Sequence, residues 1–359
     1  MSALLAALGF MLLIVLHELG HFSAAKAVGM RVERFSLFFP PLLLRKKVGE
    51  TEYAIGAVPL GGYVKISGMN PSEELPDEVR TRAYYAQPVW KRLVVIAAGP
   101  AVNIVLAIVL FVVFFWLVGG TTGTERVGSI QEGSPASTAL EPGDRLIAVD
   151  GERGDPGELS LAIAEHTCPD EPPEDGCRAS RPASLLVERD GERVRVTLTP
   201  VYDADVNRTR VGFTYAQGPR ETLPFGQAAE LAIERVWFVA RETVKLPAYI
   251  LDPERRDDIS GVIGTYEVTR QTIIDDIGDG VAILALVSIA LGVINLFPFL
   301  PLDGGHIFWG LVEKVRRRPV SYATMERSGV VGIMILVPLI LLGGFNDVGQ
   351  ILGEGFDVR

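Results

Sequence analysis

The chain has 359 residues, 34 basic and 44 acidic, with a net charge of −10, 48% hydrophobic residues and a mean hydropathy of +0.28. It is too apolar for an ordinary soluble protein of this length and reads as a membrane protein. The acidic balance argues against nucleic acid as a partner.

The first apolar run, from Ala3 to about Ala27, is long enough to cross a bilayer. It has no basic leading region and no small-residue cleavage site, so it reads as a retained first transmembrane helix (1–27) rather than a signal peptide. Near its end stands H-E-L-G-H, 17–21. On a helix this spacing puts His17 and His21 one turn apart on one face, where both imidazoles reach one zinc ion. Glu18 then lies beside the metal, where a base is needed to take a proton from the attacking water. Chance alone produces this pattern in roughly one sequence of this length in a hundred. Ionisable side chains at membrane depth are costly, which favours the functional reading over satisfied helix-end histidines.

Residues 28–91 form a loop, and between Ala24 and Lys47 the basic residues Lys26, Arg31, Arg34, Arg45, Lys46 and Lys47 face a single acid, Glu33. That bias places the loop on the cytoplasmic side. A second apolar run, from Leu93 to Val118, gives a second transmembrane helix (92–118). Asn103 within it reads as interhelical hydrogen-bond glue.

Residues 121–277 form a large loop with 17 basic and 29 acidic residues, a net charge of −12, expected outside the cell. In that compartment Cys168 and Cys177, which bracket P-D-E-P-P-E-D-G, read as a disulfide. The stretch from Leu231 to Leu251 mixes apolar residues with two Glu, two Arg and one Lys, so it reads as an amphipathic helix at the membrane surface or against the outer domain.

A third segment (278–306) begins as an apolar helix and then meets N-L-F-P-F-L-P-L-D-G-G-H at 295–306. Pro298, Pro301 and the pair Gly304-Gly305 should break the helix and leave Asp303 in irregular backbone at membrane depth, tolerated only where protein or a wet cavity satisfies it. A catalytic zinc takes three protein ligands, and Asp303 offers the third; the bland alternative is a helix cap. A basic loop (307–326) carrying K-V-R-R-R at 314–318, a fourth helix (327–346) and a tail (347–359) complete the chain. The loop is expected in the cytoplasm, and both termini outside.

H-E-L-G-H in the first span, G-P-A-V-N at 99–103 in the second and N-L-F-P-F-L-P-L-D-G-G-H in the third, in this order across nearly the whole chain, resemble the site-2 protease family of intramembrane zinc metalloproteases. The likeness is to its bacterial branch with one PDZ domain. It implies a polytopic α-helical membrane protein: four transmembrane helices, a membrane-associated β-hairpin region and an extracytoplasmic PDZ domain of mixed α/β structure.

The resemblance makes His17, His21 and Asp303 the Zn2+ ligands and Glu18 the general base. Asn295 matches the family's asparagine that holds substrate backbone or the oxyanion, and His306 reads as a residue outside the ligand set. The stretch A-I-G-A-V-P-L-G-G-Y-V-K-I-S-G, 54–68, resembles the family's membrane-associated hairpin, with Gly62, Tyr63 and Val64 as substrate-binding positions. A strand edge there offers unpaired backbone groups on which an incoming helix can unwind.

G-S-P-A-S-T-A-L-E-P-G-D-R-L-I-A-V-D-G at 133–151 resembles the PDZ signature within 121–203, although Ala139-Leu140 stands where the family carries an intervening glycine. The strands of 184–200, joined through Asp190-Gly191, supply a closing hairpin. Residues 204–277 resemble the amphipathic segment after that domain.

The expected function is zinc-dependent intramembrane proteolysis in the bacterial inner membrane. The expected substrates are single-span proteins such as anti-sigma factors or signal-peptide remnants, met within the lipid bilayer. A non-catalytic PDZ scaffold would lack a ligand or the base, and none is missing. A metal transporter would show repeated broken helices, and no such repeat is present.

Overall fold

The computed structural model describes residues 2–70, 73–169, 173–204, 208–249 and 261–352. Parts of the excursion between the cysteines, of the segment after Tyr249 and of the C-terminal tail lie outside these ranges, as does Met1. The chain divides into two compact units, residues 1–117 with 223–359, and residues 118–222.

The larger unit opens with α1 (Ser2–Ala27), which holds the first apolar run. Strands β1 (Val32–Val48) and β2 (Thr51–Ile66) follow, longer than the hairpin expected at 54–68. Both strands fold back on themselves. Residues 34–37 pair on one side with 52–55 and on the other with 62–65, while 42–48 pair with 51–56. Segments 42–48 and 62–66 are thus the outer members of this small sheet. A short helix α2 (Asp77–Arg80) precedes α3 (Val89–Val113), which continues as a wider turn through Phe114–Val118. α3 is the hub of the unit: it packs against α1 and against helices that come later in the chain.

The second unit begins with β3 (Gly120–Ile130) and β4 (Arg145–Val149). Helix α4 (Pro156–Ala164) starts at a reciprocal cap, in which Asp155 accepts from the Glu158 amide and Glu158 accepts from the Asp155 amide. Next come β5 (Ala183–Arg189), β6 (Glu192–Leu198), β7 (Val201–Asp203), β8 (Arg208–Arg210) and β9 (Phe213–Glu221). The main sheet has the order β6-β5-β4-β3-β9. Alternation decides its faces: Ala183, Leu185 and Val187 point into a core with Val127, Leu146, Leu159 and Ile163. Each valine, leucine or isoleucine among them contributes about 1.5–3 kcal/mol by burial. Asp190 and Gly191 both have positive φ, as the tight turn between β5 and β6 requires. Cys168 and Cys177 are disulfide-bonded.

The outer unit is larger than the expected 121–203. β9 pairs with β3 from Gly120↔Glu221 to Ile130↔Phe213, so residues up to Thr222 belong to it and not to the following amphipathic segment.

The chain then returns to the first unit through α5 (Phe225–Tyr249), α6 (Val262–Asp275) and α7 (Ile277–Asn295). α5 is amphipathic, as expected, but packs directly against α3 and α7. After a break at 296–302, α8 (Asp303–Arg316) begins, and α9 (Tyr322–Leu352) closes the described chain. Two corrections follow. Asp303 lies in the first turn of a helix rather than in irregular backbone; the Gly-Gly pair starts this helix instead of breaking one. Gly304 packs so close to the turn that a Cβ on it would stand 2.1 Å from the Leu296 carbonyl oxygen. The basic loop expected at 307–326 is helical up to Arg316, leaving only 317–321 between helices.

Among the described residues four helical stretches are long and apolar enough to cross a membrane: Ser2–Ala27, Val89–Val118, Ile277–Asn295 and Ala323–Gly349. α3 and α7 meet through small residues, with Ser288 donating to the Asn103 carbonyl at 2.9 Å. The Asn103 side chain is fully buried, and neither its oxygen nor its nitrogen has a hydrogen-bond partner, so the interhelical bond expected of it comes from its backbone instead.

Candidate metal centre

α1 presents His17 and His21 on one face, both buried, with Nε2 atoms 3.2 Å apart and rings nearly perpendicular at 81°. α8 brings Asp303 to them from the far end of the sequence. Its Oδ2 lies 3.3 Å from His17 Nε2 and 3.2 Å from His21 Nε2. Among the described residues these three form a group able to hold a metal ion.

At His21 the second ring nitrogen decides what kind of atom faces Asp303. His21 Nδ1 donates to the Val95 carbonyl on α3 at 2.9 Å, which leaves a lone pair on the Nε2 that faces Asp303. Asp303 Oδ2 is buried and makes no hydrogen bond. Electron-rich atoms packed this closely repel unless a cation stands between them. Ligand atoms about 2.0–2.1 Å from a tetrahedral zinc stand about 3.3 Å apart, so the observed spacing fits that ion. The helix-cap alternative for Asp303 has no support, because the cap position is Leu302 and no side chain caps this helix.

The site lies in a cleft of about 360 Å³ lined by His17, Glu18, His21, Gly62, Tyr63, Val64, Asn295, Asp303 and His306, among others. Every residue that the sequence singled out for the reaction therefore opens onto one space. β2 passes so close to Glu18 that a Cβ on Gly62 would stand 3.0 Å from its Cγ. Asn295, the last residue of α7, donates to the Leu291 carbonyl at 3.0 Å through its amide nitrogen. His306 lines the cleft one turn beyond Asp303 but is not in the three-residue group.

Supporting residues were harder to foresee. On one face of α3, Lys91 donates to the Val28 carbonyl after α1, and Arg92 makes paired hydrogen bonds to Glu313 on α8. Val95 orients His21 from the next turn. The same helix thus fixes the segments carrying both histidines and the carboxylate. Breaking the largely buried Arg92–Glu313 pair by removing one partner costs about 3–5 kcal/mol. The signal that pointed here was G-P-A-V-N, whose Gly99 sits against His21.

Relatives match this protein along nearly the whole chain. A protein of Brucella suis that bears the provisional name zinc metalloprotease is 31% identical, over 93% of this chain and 92% of its own length. One of Campylobacter jejuni with the same provisional name is 29% identical, over 95% of this chain and 92% of its own. The metalloprotease MmpA of Caulobacter vibrioides is 28% identical, over 97% and 96%. The pattern of Peptidase family M50, the site-2 protease family, matches residues 5–339. The chain therefore belongs to Peptidase family M50, as an integral membrane metalloprotease whose cofactor is zinc.

Proposed function

We propose that this protein is an intramembrane endopeptidase that cleaves the transmembrane segments of other membrane proteins in regulated intramembrane proteolysis. The observation that carries the reading is the meeting of His17, His21 and Asp303 at 3.2–3.3 Å, with Glu18 and an outer strand opening onto the same cleft. His17, His21 and Asp303 would hold the zinc. When bound, zinc supplies a Lewis acid that polarises the scissile carbonyl and acidifies water. Glu18 takes the proton from the attacking water and passes it to the leaving amine. Asn295 holds the substrate backbone or the carbonyl oxygen as it gains charge. Residues 62–64, on the outer segment of the small sheet, pair with a substrate stretch that has left its helix; this exposes the peptide bond to attack.

In this reading the protein lies in the bacterial inner membrane with both termini outside. Residues 118–222 form an extracytoplasmic PDZ domain that restricts access to substrates already shortened outside. The substrates are single-span proteins such as anti-sigma factors or signal-peptide remnants. The test is metal analysis of purified protein, together with cleavage of a single-span substrate by wild type and Glu18→Gln. The variant should keep its zinc and lose about a hundred- to ten-thousand-fold in turnover. Comparable cleavage by zinc-loaded Glu18→Gln refutes the mechanism.

A further inference from the structure

The outer strand segment 42–48 is exposed along almost its whole length, and its composition changes from one end to the other. Phe39, Leu43 and Leu44 are 40%, 65% and 65% exposed, and Arg45, Lys46 and Lys47 follow, all exposed. Strand alternation places Leu43, Arg45 and Lys47 on one face and Leu44 and Lys46 on the other. One face therefore runs from apolar to cationic, and on the other Lys46 stands between Leu44 and Val48, which is 56% exposed beside the turn. An exposed apolar edge strand invites aggregation unless something covers it.

The protein's own acids do not neutralise these cations. Glu50 is held by Lys26 at 2.7 Å and by Arg82 at 2.7 and 2.8 Å. Glu52, the register partner of Lys47, is held by Arg34 at 2.6 Å. Glu33 is taken by Lys65. Among the described residues no ion pair reaches Arg45, Lys46 or Lys47.

The position of the strand along α1 indicates what covers it. Phe39 opens onto the same cleft as His17, at membrane depth. The turn at Gly49-Glu50 is clasped to Lys26 at the end of α1, about 13 Å further along the helix axis. The same level is marked by Lys91 and the exposed Trp90 at the start of α3. The apolar end of the strand thus lies at hydrocarbon depth and its cationic end at the level of the headgroups.

From this gradient we infer that Arg45, Lys46 and Lys47 form a binding site for the headgroups of anionic phospholipids, with Leu43 and Leu44 seated among the acyl chains of the same molecules. Each cation near an anionic membrane surface adds on the order of five-fold to association at physiological ionic strength. Three together give the sheet beside Glu18 a lipid-dependent anchor. Lipid composition then acts on the sheet whose opposite outer segment, 62–66, lines the cleft.

The two native cysteines are disulfide-bonded, so Leu44→Cys gives the full-length protein a unique labelling position. An environment-sensitive fluorophore there, in vesicles of phosphatidylcholine with phosphatidylglycerol, is quenched by spin-labelled forms of either lipid at equal mole fraction. Quenching by phosphatidylglycerol should exceed that by phosphatidylcholine several-fold, and the ratio should fall towards one in Arg45→Gln/Lys46→Gln/Lys47→Gln. Inorganic phosphate should leave it unchanged. If the triple variant does not fold, Lys46→Gln and Lys47→Gln singly should each remove part of the preference. Equal quenching with the cations in place overturns the site, as does displacement by phosphate, which assigns it to free anions. No quenching by either lipid puts the strand outside the bilayer and assigns the patch to an acidic protein partner.

Discussion

Gly99 lies directly against His21: a Cβ built on Gly99 would stand 2.2 Å from Nε2, the ring nitrogen that faces Asp303. Only a residue without a side chain lets α3 approach α1 closely enough for Val95 to hold the other nitrogen. Gly99→Ala should therefore push the imidazole off its axis and weaken metal binding by at least about ten-fold, the scale of losing an orienting partner. Metal content after dialysis, with the absorption spectrum of the cobalt-substituted protein, reads this independently of activity. Gly344→Ala, where nothing lies within 4 Å of the added carbon, is the control and should bind as wild type.

Asp303 joins two distant parts of the chain, so its replacement tests the join. Asp303→Asn keeps the shape but offers a neutral amide in place of a carboxylate, a poorer ligand for zinc. Zinc affinity should drop by about 100-fold or more, and activity with it. Cysteines placed at 303 and near His21 should cross-link through a bridging metal. Full occupancy and full activity in Asp303→Asn would place the third ligand elsewhere.

Glu50 makes a pH prediction outside the spans. The Arg82 guanidinium, and after it the Lys26 ammonium, hold its carboxyl down at about 2, from an ordinary value of 4.5. Because the folded value lies below the unfolded one, the clasp contributes fully above about pH 4.5 and is lost as pH falls to about 2. The carboxylate is partly open to solvent, which reduces its worth to at most about 1 kcal/mol. Arg82→Gln should lower hydrogen-exchange protection around residues 48–53 by that amount at neutral pH. The difference from wild type should shrink as the medium is acidified through pH 4.5; a constant difference down to pH 2 would show that Arg82 acts by packing alone.

Replacing residues 118–222 by a short flexible linker should leave zinc bound and extend cleavage to substrates whose ectodomains are intact. The expectation rests on the folded bulk of that unit and its place in the chain between the second and third spans. Cleavage of matched substrates with large and small ectodomains measures it. Unchanged selectivity in a folded, zinc-loaded deletion would argue against filtering by size.

The metal-binding face was legible because a helix converts sequence spacing into geometry: residues 17 and 21 must share a side. Asp303 was legible through the prolines that interrupt an apolar run, although the helix it begins was not; the basic residues at 314–318 resemble a loop unless the apolar spacing before them is weighed. What remained hidden is what side-chain identity does not encode. Val95 acts through its carbonyl, which every residue has. Arg92 and Glu313 are 221 residues apart, and only the packing of α8 on α3 makes them partners. The folding back of β1 did leave a mark, Pro40-Pro41 between the segments 34–37 and 42–48 that pair in different registers, because proline cannot donate to a strand ladder.

One junction reaches beyond the behaviour of a single molecule. In the membrane unit the Leu223 amide donates to the Phe115 carbonyl at 2.9 Å, and in the outer unit Gly120 pairs with Glu221. The chain leaves and re-enters through two points already side by side on both sides of the join. An insertion held by such a neck can be lost, exchanged or repeated in tandem by recombination while its host's helices keep their spacing. Descent can therefore vary residues 118–222 without disturbing the helices that hold His17, His21 and Asp303 together.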